Sequence, residues 1–147
     1  MQSSSRELDQ KLDVVKSSRQ ETRMRTVLIV EDTPSEMALI SHYLHEFGYF
    51  VISAETGKEA LNKAISQKPD VILTDVVMPG MSGFELCRSL KKNPATENVP
   101  IVICSSKNLE IDRLWGMKQG ADAYLTKPFT QEQLIRVLRS VEANRII

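Results

Sequence analysis

The sequence is poor in the features that would indicate a disulfide-linked, zinc-binding or membrane-spanning protein. It has two cysteines among 147 residues, Cys87 and Cys104, and neither belongs to a Cys-x-x-Cys motif. Their apolar surroundings favour reduced structural thiols over a disulfide or a metal site. No apolar run approaches the ~20 residues of a membrane span, and the N-terminus has no apolar signal-peptide core. We therefore expect a cytoplasmic protein without membrane insertion.

The sequence also has no excess of charge of either sign. Its 19 basic and 19 acidic side chains cancel, so no net field favours binding to nucleic acid or to an anionic membrane. We expect no nucleic-acid partner. With 41% hydrophobic residues, the chain is long enough for one domain that buries about two thirds of its unfolded surface.

Residues 1–25 differ in composition from the rest of the chain. They are polar and Ser-rich and contain no Gly, Pro or aromatic residue. Leu8, Leu12 and Val15 have helical spacing, but an isolated helix of two turns is marginal in water. A disordered tail and a short docked helix both remain open. We expect an N-terminal extension over residues 1–25 and a single domain over residues 26–147.

The remainder alternates short apolar runs with longer stretches of helical periodicity. Continuous apolar runs are typical of parallel strands covered on both faces. Five β–α units with right-handed crossovers predict an α/β fold, a doubly wound five-stranded parallel sheet with five helices. The five runs are VLIV from residue 27, FVISA from 50, VILTD from 71, IVIC from 101 and AYLT from 123.

Start and stop signals mark the predicted helices. Four Ser/Thr-x-x-Glu/Gln capping boxes, in which a hydroxyl and a third-position side chain satisfy free backbone N–H groups, begin at Thr33, Thr56, Ser82 and Thr130. The stretch from Asn108 to Gln119 has no such box, but Leu114 and Met117 give it an apolar face. Gly48 and Gly120 stand where helix C-caps are expected.

Polar side chains follow the ends of four predicted strands: Glu31 and Asp32, Asp75, Ser105, and Lys127. In a doubly wound sheet these ends share one edge, where ligands bind. Three carboxylates meeting there would repel one another unless a cation such as Mg²⁺ joined them, and carboxylate oxygens suit that ion.

This set of groups fits phosphoryl transfer. Asp75 can act as a nucleophile that carries the phosphoryl group as an acyl phosphate, with Lys127 pairing with it and Ser105 donating to a phosphoryl oxygen. Each acid alone could instead be a helix cap. Because Thr33 and Ser82 already serve as caps in the predicted boxes, we interpret the acids as surplus to capping.

The motifs VLIVED, VILTDVVMPGMSGFEL, VPIVICSS and GADAYLTKPF, in this order and spacing, resemble the receiver domain of two-component response regulators, the CheY-like fold. The resemblance covers about residues 26–143. It implies the strand order 2-1-3-4-5 and a phosphorelay signalling domain, not an enzyme, that is phosphorylated by a sensor histidine kinase or a phosphotransfer protein.

The resemblance also implies residue roles. Asp75 matches the phosphoacceptor, Glu31 and Asp32 match the acid pair that holds Mg²⁺, and the backbone carbonyl of Val77 would complete the metal shell. Ser105 matches the switch hydroxyl, Tyr124 the switch aromatic, and Lys127 the lysine that accompanies the acceptor. Val77 and Lys107 occupy two positions that tune phosphoryl loss. Since the apolar Val77 cannot orient a water, we expect a longer phosphoryl lifetime than in the chemotaxis regulator.

No output domain follows in the sequence, so we expect a stand-alone receiver that signals through altered affinity for a protein partner. The resemblance places this output at the last two helices and the fifth strand. Trp115 lies on that face: we favour packing against a neighbouring helix, and the alternative is an exposed anchor for a partner or for a second copy in a homodimer.

Within the family, LWGMKQGADAYLTKPF and VMPGMSGFELCRSLKKNPAT are most similar to PilH-type regulators of twitching motility and phototaxis. Three other interpretations stay open. An aspartyl-phosphate phosphatase of the haloacid dehalogenase type would need an acid at Val77, and a flavodoxin-like FMN binder would need a Ser/Thr-rich loop where the acids of EDTPSE stand. The third is a scaffold of receiver fold that is never phosphorylated.

Overall fold

The computed structural model describes residues 25–146, of which residues 144–146 are described by their backbone only. Five strands alternate with five helices, as the sequence predicts. The strands are β1 Thr26–Val30, β2 Phe50–Ala54, β3 Val71–Asp75, β4 Ile101–Ser105 and β5 Ala123–Thr126. The helices are α1 Pro34–Glu46, α2 Gly57–Gln67, α3 Gly83–Lys92, α4 Glu110–Lys118 and α5 Gln131–Ile146. The predicted extension, up to residue 24, lies outside the described residues.

The five strands form one parallel sheet in the order β2-β1-β3-β4-β5, which confirms the predicted topology. The order reverses between β1 and β3, so a crevice opens beyond their carboxyl ends. The register aligns the ends of the central strands: Asp75 is paired with Cys104, and Ser105 with Thr126. The polar residues that follow these strands therefore meet at one edge.

Two apolar cores cover the faces of the sheet. Val27 and Ile29 of β1 pack with α1 and α5, whereas Leu28 and Val30 pack with α2 and α3, because successive side chains of a strand point to opposite faces. The interpretation of strands covered on both faces holds for β1, β3 and β4. It is wrong for β2, an edge strand whose Phe50 is 52% exposed.

Capping is confirmed at three of the four predicted helix starts. Ser82 forms a complete box with Glu85. The N–H groups of Gln133 and Glu59 donate to the hydroxyls of Thr130 and Thr56, at 3.1 Å each.

The box predicted at Thr33 is wrong. The Thr33 side chain makes no capping hydrogen bond, and its backbone N–H donates instead to Glu31 Oε2 at 3.1 Å. In the predicted box the Glu36 carboxylate would accept the Thr33 N–H. It accepts a hydrogen bond from Lys127 instead and does not fold back onto the helix start.

The packing of α4 differs from the prediction. Gly116 is the one buried residue of α4, all of which is described, while Leu114, Trp115 and Met117 are 60%, 48% and 45% exposed. Gly116 lies so close to the sheet that an added Cβ would come within 3.2 Å of Ile103 and Tyr124. The helix therefore faces the sheet with its glycine, and its large apolar side chains project outward. The interpretation of Trp115 as packed against a neighbouring helix is wrong, and the predicted apolar face of Leu114 and Met117 is turned to solvent.

Two glycines and both cysteines lie as the sequence predicts. Gly48 and Gly120 follow the ends of α1 and α4 with φ of 82° and 109°, the left-handed region in which glycine terminates a helix. Cys87 and Cys104 are buried and free, and burial raises the pKa of the Cys87 thiol to about 12. Among residues 25–146, no helix combines the length and the apolar character needed to cross a bilayer.

Candidate functional site

Three carboxylates gather at the carboxyl edge of the sheet. Glu31 and Asp32 directly follow β1, and Asp75 is the last residue of the neighbouring β3. One oxygen from each lies within 4.8 Å of the others. Glu31 is buried, Asp75 is partly buried and Asp32 is exposed, so the cluster is open to solvent on one side.

Glu31 joins the cluster to the start of α1. Its Oε2 accepts the Thr33 N–H, and its Oε1 accepts from Lys127 Nζ at 2.9 Å. The interpretation of Glu31 as surplus to the first helix is therefore wrong, because its carboxylate accepts the Thr33 N–H, the role that the predicted box assigned to the Glu36 side chain.

Lys127 brings an ammonium group to the carboxylates. Its Nζ lies 2.9 Å from Glu31 Oε1 and 3.5 Å from Asp75 Oδ1, and it also pairs with Glu36 of α1. Its side chain is 15% exposed. The sequence did not predict Glu36 as a site residue, because the capping-box pattern already explained an acid at that position. The available signal was that Glu36 lies in the first turn of the helix that begins beside the site.

The proximity of these groups shifts their proton affinities. Burial raises the pKa of Asp75, the charge of Glu31 raises it further, and the charge of Lys127 opposes both. Burial alone would lower the pKa of Lys127. The hydrogen bonds to Glu36 and Glu31 and the charge of Asp75 outweigh burial and raise that pKa above its ordinary value. At neutral pH Lys127 is therefore a fixed cation.

A cavity of about 450 Å³ opens beside Asp75. Its polar lining comes from Asp75, Ser105, Ser106, Lys127 and Glu36, and its apolar lining from α1, the β3–α3 loop and the β5–α5 loop. Ser105 is 2% exposed; its hydroxyl accepts the Lys107 N–H at 3.1 Å and its backbone carbonyl accepts the Lys127 N–H at 2.8 Å. The peptide bond between Lys127 and Pro128 is cis.

Tyr124 lies inward, next to the β4–α4 loop. The residue is 8% exposed, and its hydroxyl donates to the Lys107 carbonyl at 2.7 Å. The Lys107 N–H donates to the Ser105 hydroxyl. One backbone residue therefore connects the side chains of Ser105 and Tyr124, which the sequence left 19 positions apart.

One residue of the β3–α3 loop and the first residue of α3 complete the site. Val77 lines the cavity with a side chain that is 66% exposed; its carbonyl as a metal ligand stays a prediction. Gly83 packs against the backbone of Asp75 so closely that a Cβ would lie 2.1 Å from the Asp75 carbonyl oxygen. Sequence reasoning missed Gly83, because a glycine in the first turn of a helix carries no local signal of a close contact with a strand end.

The profile of the response regulator receiver domain matches residues 27–139. This chain belongs to that family. Membership confirms the predicted receiver and the CheY-like fold. Receiver domains are signalling domains of two-component systems that bind Mg²⁺ at an acidic site and interact with histidine kinases or phosphotransfer proteins, and in this receiver the acidic cluster is Glu31, Asp32 and Asp75.

Two curated relatives come from Pseudomonas aeruginosa. The chain is 42% identical to the protein PilH over 120 residues, which are 82% of this chain and 99% of PilH. It is 38% identical to the phosphate regulon transcriptional regulatory protein PhoB over 117 residues, 80% of this chain and 51% of PhoB. The chain thus spans almost all of PilH and about half of PhoB.

Solved structures have the same fold. The chemotaxis protein CheY4 of Vibrio cholerae superimposes with a TM-score of 0.76 at 36% identity, covering 80% of this chain and 98% of that one. The receiver domain of the Pseudomonas aeruginosa sensor histidine kinase PA1611 gives a TM-score of 0.77 at 30% identity, covering 82% and 98%. The latter structure has a magnesium ion coordinated in its active-site cleft.

Proposed function

We propose that this receiver accepts a phosphoryl group on Asp75 from a histidine kinase or a histidine phosphotransfer protein. One observation carries the proposal. The Asp75 carboxylate faces a solvent-accessible cavity while Lys127 Nζ lies 3.5 Å from its Oδ1 and two further carboxylates stand beside it. A nucleophile and a fixed cation in one cavity, with a hard-oxygen donor set around the nucleophile, are the parts that phosphoryl transfer requires.

The chemistry is a displacement at phosphorus. An oxygen of the ionised Asp75 attacks the phosphorus of a phosphohistidine, the P–N bond breaks, and its electron pair returns to the imidazole, which takes a proton from solvent. Lys127 offsets negative charge on the phosphoryl oxygens, and the Ser105 hydroxyl donates to one of them. Most of the rate then comes from positioning and charge compensation.

The donor set fits a magnesium ion. Three carboxylate oxygens within 4.8 Å of one another are the hard ligands that Mg²⁺ prefers. Glu31, Asp32, Asp75 and the backbone carbonyl of Val77 would hold the ion. When bound, Mg²⁺ supplies positive charge that compensates the phosphoryl oxygens and the carboxylates.

Output follows from the link between Ser105 and Tyr124. When the Ser105 hydroxyl turns toward a phosphoryl oxygen, the Lys107 N–H loses its acceptor, and the Lys107 carbonyl that holds the Tyr124 hydroxyl moves with it. The switch therefore alters the surface of α4, β5 and α5, a shift between two populations biased by new hydrogen bonds. Trp115, 48% exposed on α4, is available there to a protein partner or a second copy.

Intact mass after incubation with acetyl phosphate and Mg²⁺ tests the phosphoacceptor. We expect a gain of one phosphoryl group that Asp75→Asn abolishes. Asp70→Asn is the matched control: Asp70 precedes the opposite end of β3, where it accepts the Thr26 N–H at 2.7 Å, so this variant should be phosphorylated normally. A mass gain that survives Asp75→Asn contradicts the assignment. Absence of any gain favours a scaffold, and rapid phosphate release without an adduct favours a phosphatase.

We further propose that the output controls pilus-driven motility, as the PilH-type motifs imply. The 42% identity to PilH over nearly its whole length supports this pathway. A strain that lacks this protein should show altered surface motility, restored by the wild-type gene and not by the gene for Asp75→Asn. Normal motility of the deletion strain would contradict the proposed motility pathway but would not affect the proposal that Asp75 is the phosphoacceptor.

A further inference from the structure

Arg113 of α4 contacts two residues of the edge strand β5, and one of them is Tyr124, the tyrosine of the proposed switch. Its Nη2 donates to Thr126 Oγ1 at 2.8 Å. Its Cζ lies 5.3 Å from the centroid of the Tyr124 ring, within the range of a cation–π interaction. Its Nη1 points to the Tyr124 carbonyl oxygen at 3.5 Å. One guanidinium group thus spans two residues of β5.

These contacts matter because α4 has little other attachment. Gly116 is its buried residue, whereas Ile111, Leu114 and Trp115 are 68%, 60% and 48% exposed. A helix that buries so little apolar surface gains little from packing. Arg113, one turn before Gly116, is therefore a principal connection between α4 and β5.

Tyr124 is consequently held at both ends of its side chain. The hydroxyl donates to the Lys107 carbonyl at 2.7 Å. The ring has the guanidinium of Arg113 5.3 Å from its centroid, and it lies close enough to Gly116 that a Cβ there would come within 3.2 Å of it. An outward rotation of the ring would break the hydrogen bond and the contact with the guanidinium together. The hydrogen bond depends on the β4–α4 loop, which contains Lys107, whereas the contact with the guanidinium depends on α4.

We propose that Arg113 is a positioning residue that holds Tyr124 inward and so sets how much of the inward population exists before phosphorylation. The proposal rests on Tyr124 being the switch aromatic of the proposed function. It predicts that loss of Arg113 lowers the ratio of inward to outward Tyr124 about fivefold, which is the factor expected from losing a partly exposed cation–π contact. Phosphorylation should then produce a larger change in this ratio than it does in wild type.

Fluorine NMR of the full chain labelled with 3-fluorotyrosine measures this ratio. The chain has three tyrosines, so Tyr124→Phe identifies the resonance of interest. Tyr49 is buried and bonded to Glu142, which makes it an internal reference. The solvent isotope shift between H₂O and D₂O reports how exposed the fluorine of Tyr124 is.

In Arg113→Ala we expect the Tyr124 resonance to move and its solvent isotope shift to grow. Arg113→Lys, which keeps a cation but not the planar fork, should give an intermediate position. Arg136→Ala is the control, because Arg136 is a 72% exposed arginine that pairs with Glu132 on its own helix; it should leave the resonance in place. A Tyr124 resonance that is unchanged in Arg113→Ala overturns the proposal.

Two further measurements keep the outcome decisive. Thr126→Val removes the nearer of the two acceptors of Arg113 and has nearly the same shape. It tests the proposal if Arg113→Ala does not fold: a smaller shift in the same direction supports the proposal, and no shift overturns it. Phosphorylation of each variant by acetyl phosphate is followed in parallel. If wild-type Tyr124 does not respond to phosphorylation, the switch itself fails, whereas a dependence on Arg113 would still be seen.

Discussion

Lys127 donates to Glu31 at 2.9 Å across 96 positions of sequence. The bond joins the end of β5 to the end of β1, two strands that are separated in the sheet by β3 and β4. Glu31 is 2% exposed, and a buried carboxylate needs a partner of opposite charge. Lys127 is therefore both a structural partner of Glu31 and a competitor for the oxygens that a cation would use.

This competition predicts opposite effects of Lys127→Met on folding and on Mg²⁺ binding. Without Mg²⁺, the free energy of unfolding should fall by about 3 kcal/mol, because a buried carboxylate loses its partner. Mg²⁺ affinity should rise about tenfold, since an ammonium no longer repels the ion, and Mg²⁺ should restore much of the lost stability. Urea unfolding with and without Mg²⁺ measures both.

The pH dependence of this contribution follows from the raised pKa of Lys127. The stability from its ion pairs should be complete at neutral pH and should decline in alkali as pH rises through that pKa. Lys118→Met, on the exposed surface of α4, is the control and should change stability by no more than about 0.5 kcal/mol. Equal Mg²⁺ affinities in wild type and Lys127→Met would contradict the argument.

Asp75→Asn should stabilise the protein in the absence of Mg²⁺. Burial and the charge of Glu31 raise the pKa of Asp75, so the ionised carboxylate costs stability at neutral pH. We expect the free energy of unfolding of the variant to exceed that of wild type by about 1 kcal/mol. The gain should shrink as pH falls through the raised pKa, because wild-type Asp75 then becomes neutral too, and thermal unfolding across pH checks it.

The contrast with Asp70 sharpens this prediction. Asp70 accepts the Thr26 N–H at 2.7 Å, a charge-assisted bond that an amide oxygen replaces only in part. Asp70→Asn should therefore destabilise the protein where Asp75→Asn stabilises it. If added Mg²⁺ did not reduce or reverse the advantage of Asp75→Asn, the carboxylate would not be part of a cation site.

Gly83→Ala should damage the site through the backbone of Asp75. A Cβ at Gly83 would lie 2.1 Å from the Asp75 carbonyl oxygen, so strand end and helix start must separate at a cost of about 3 kcal/mol. Acetyl phosphate should then phosphorylate the variant more slowly than wild type. Gly57→Ala is the control, because a Cβ there meets the side chain of Met81, which can move; a similar loss in both variants would argue against a specific effect.

Val77→Asn should shorten the phosphoryl lifetime. Val77 lines the cavity two residues after Asp75 and cannot hydrogen-bond an attacking water. An amide at this position can orient that water, and a stabilisation of about 1.4 kcal/mol in the transition state gives a tenfold faster decay. Loss of the phosphoryl mass after removal of acetyl phosphate measures the rate, with Val77→Ala as the control. Decay of the wild-type phosphoprotein within seconds would refute its predicted long lifetime.

The elements and the strand-end residues were predictable because their causes are local. A short run that contains β-branched residues, such as Val71–Leu73, favours a buried strand, and Asp75 stands at its end by chain connectivity alone. The roles of Thr33, Trp115 and Glu36 were not predictable in this way. Each depends on which group from a distant part of the chain reaches it, and Lys127, 91 positions away, is what occupies Glu36.

The sequence by itself determined the order of strands and helices, the edge at which the acids gather, and the family. Periodicity, turn residues and short motifs encode these features within a few positions. Only the tertiary structure decided that Glu31 caps α1, that Lys127 is shared among three carboxylates, and that Arg113 covers Tyr124. Ion pairs and ring contacts depend on distances of a few ångströms between separate elements, and those distances exist only once the elements have packed.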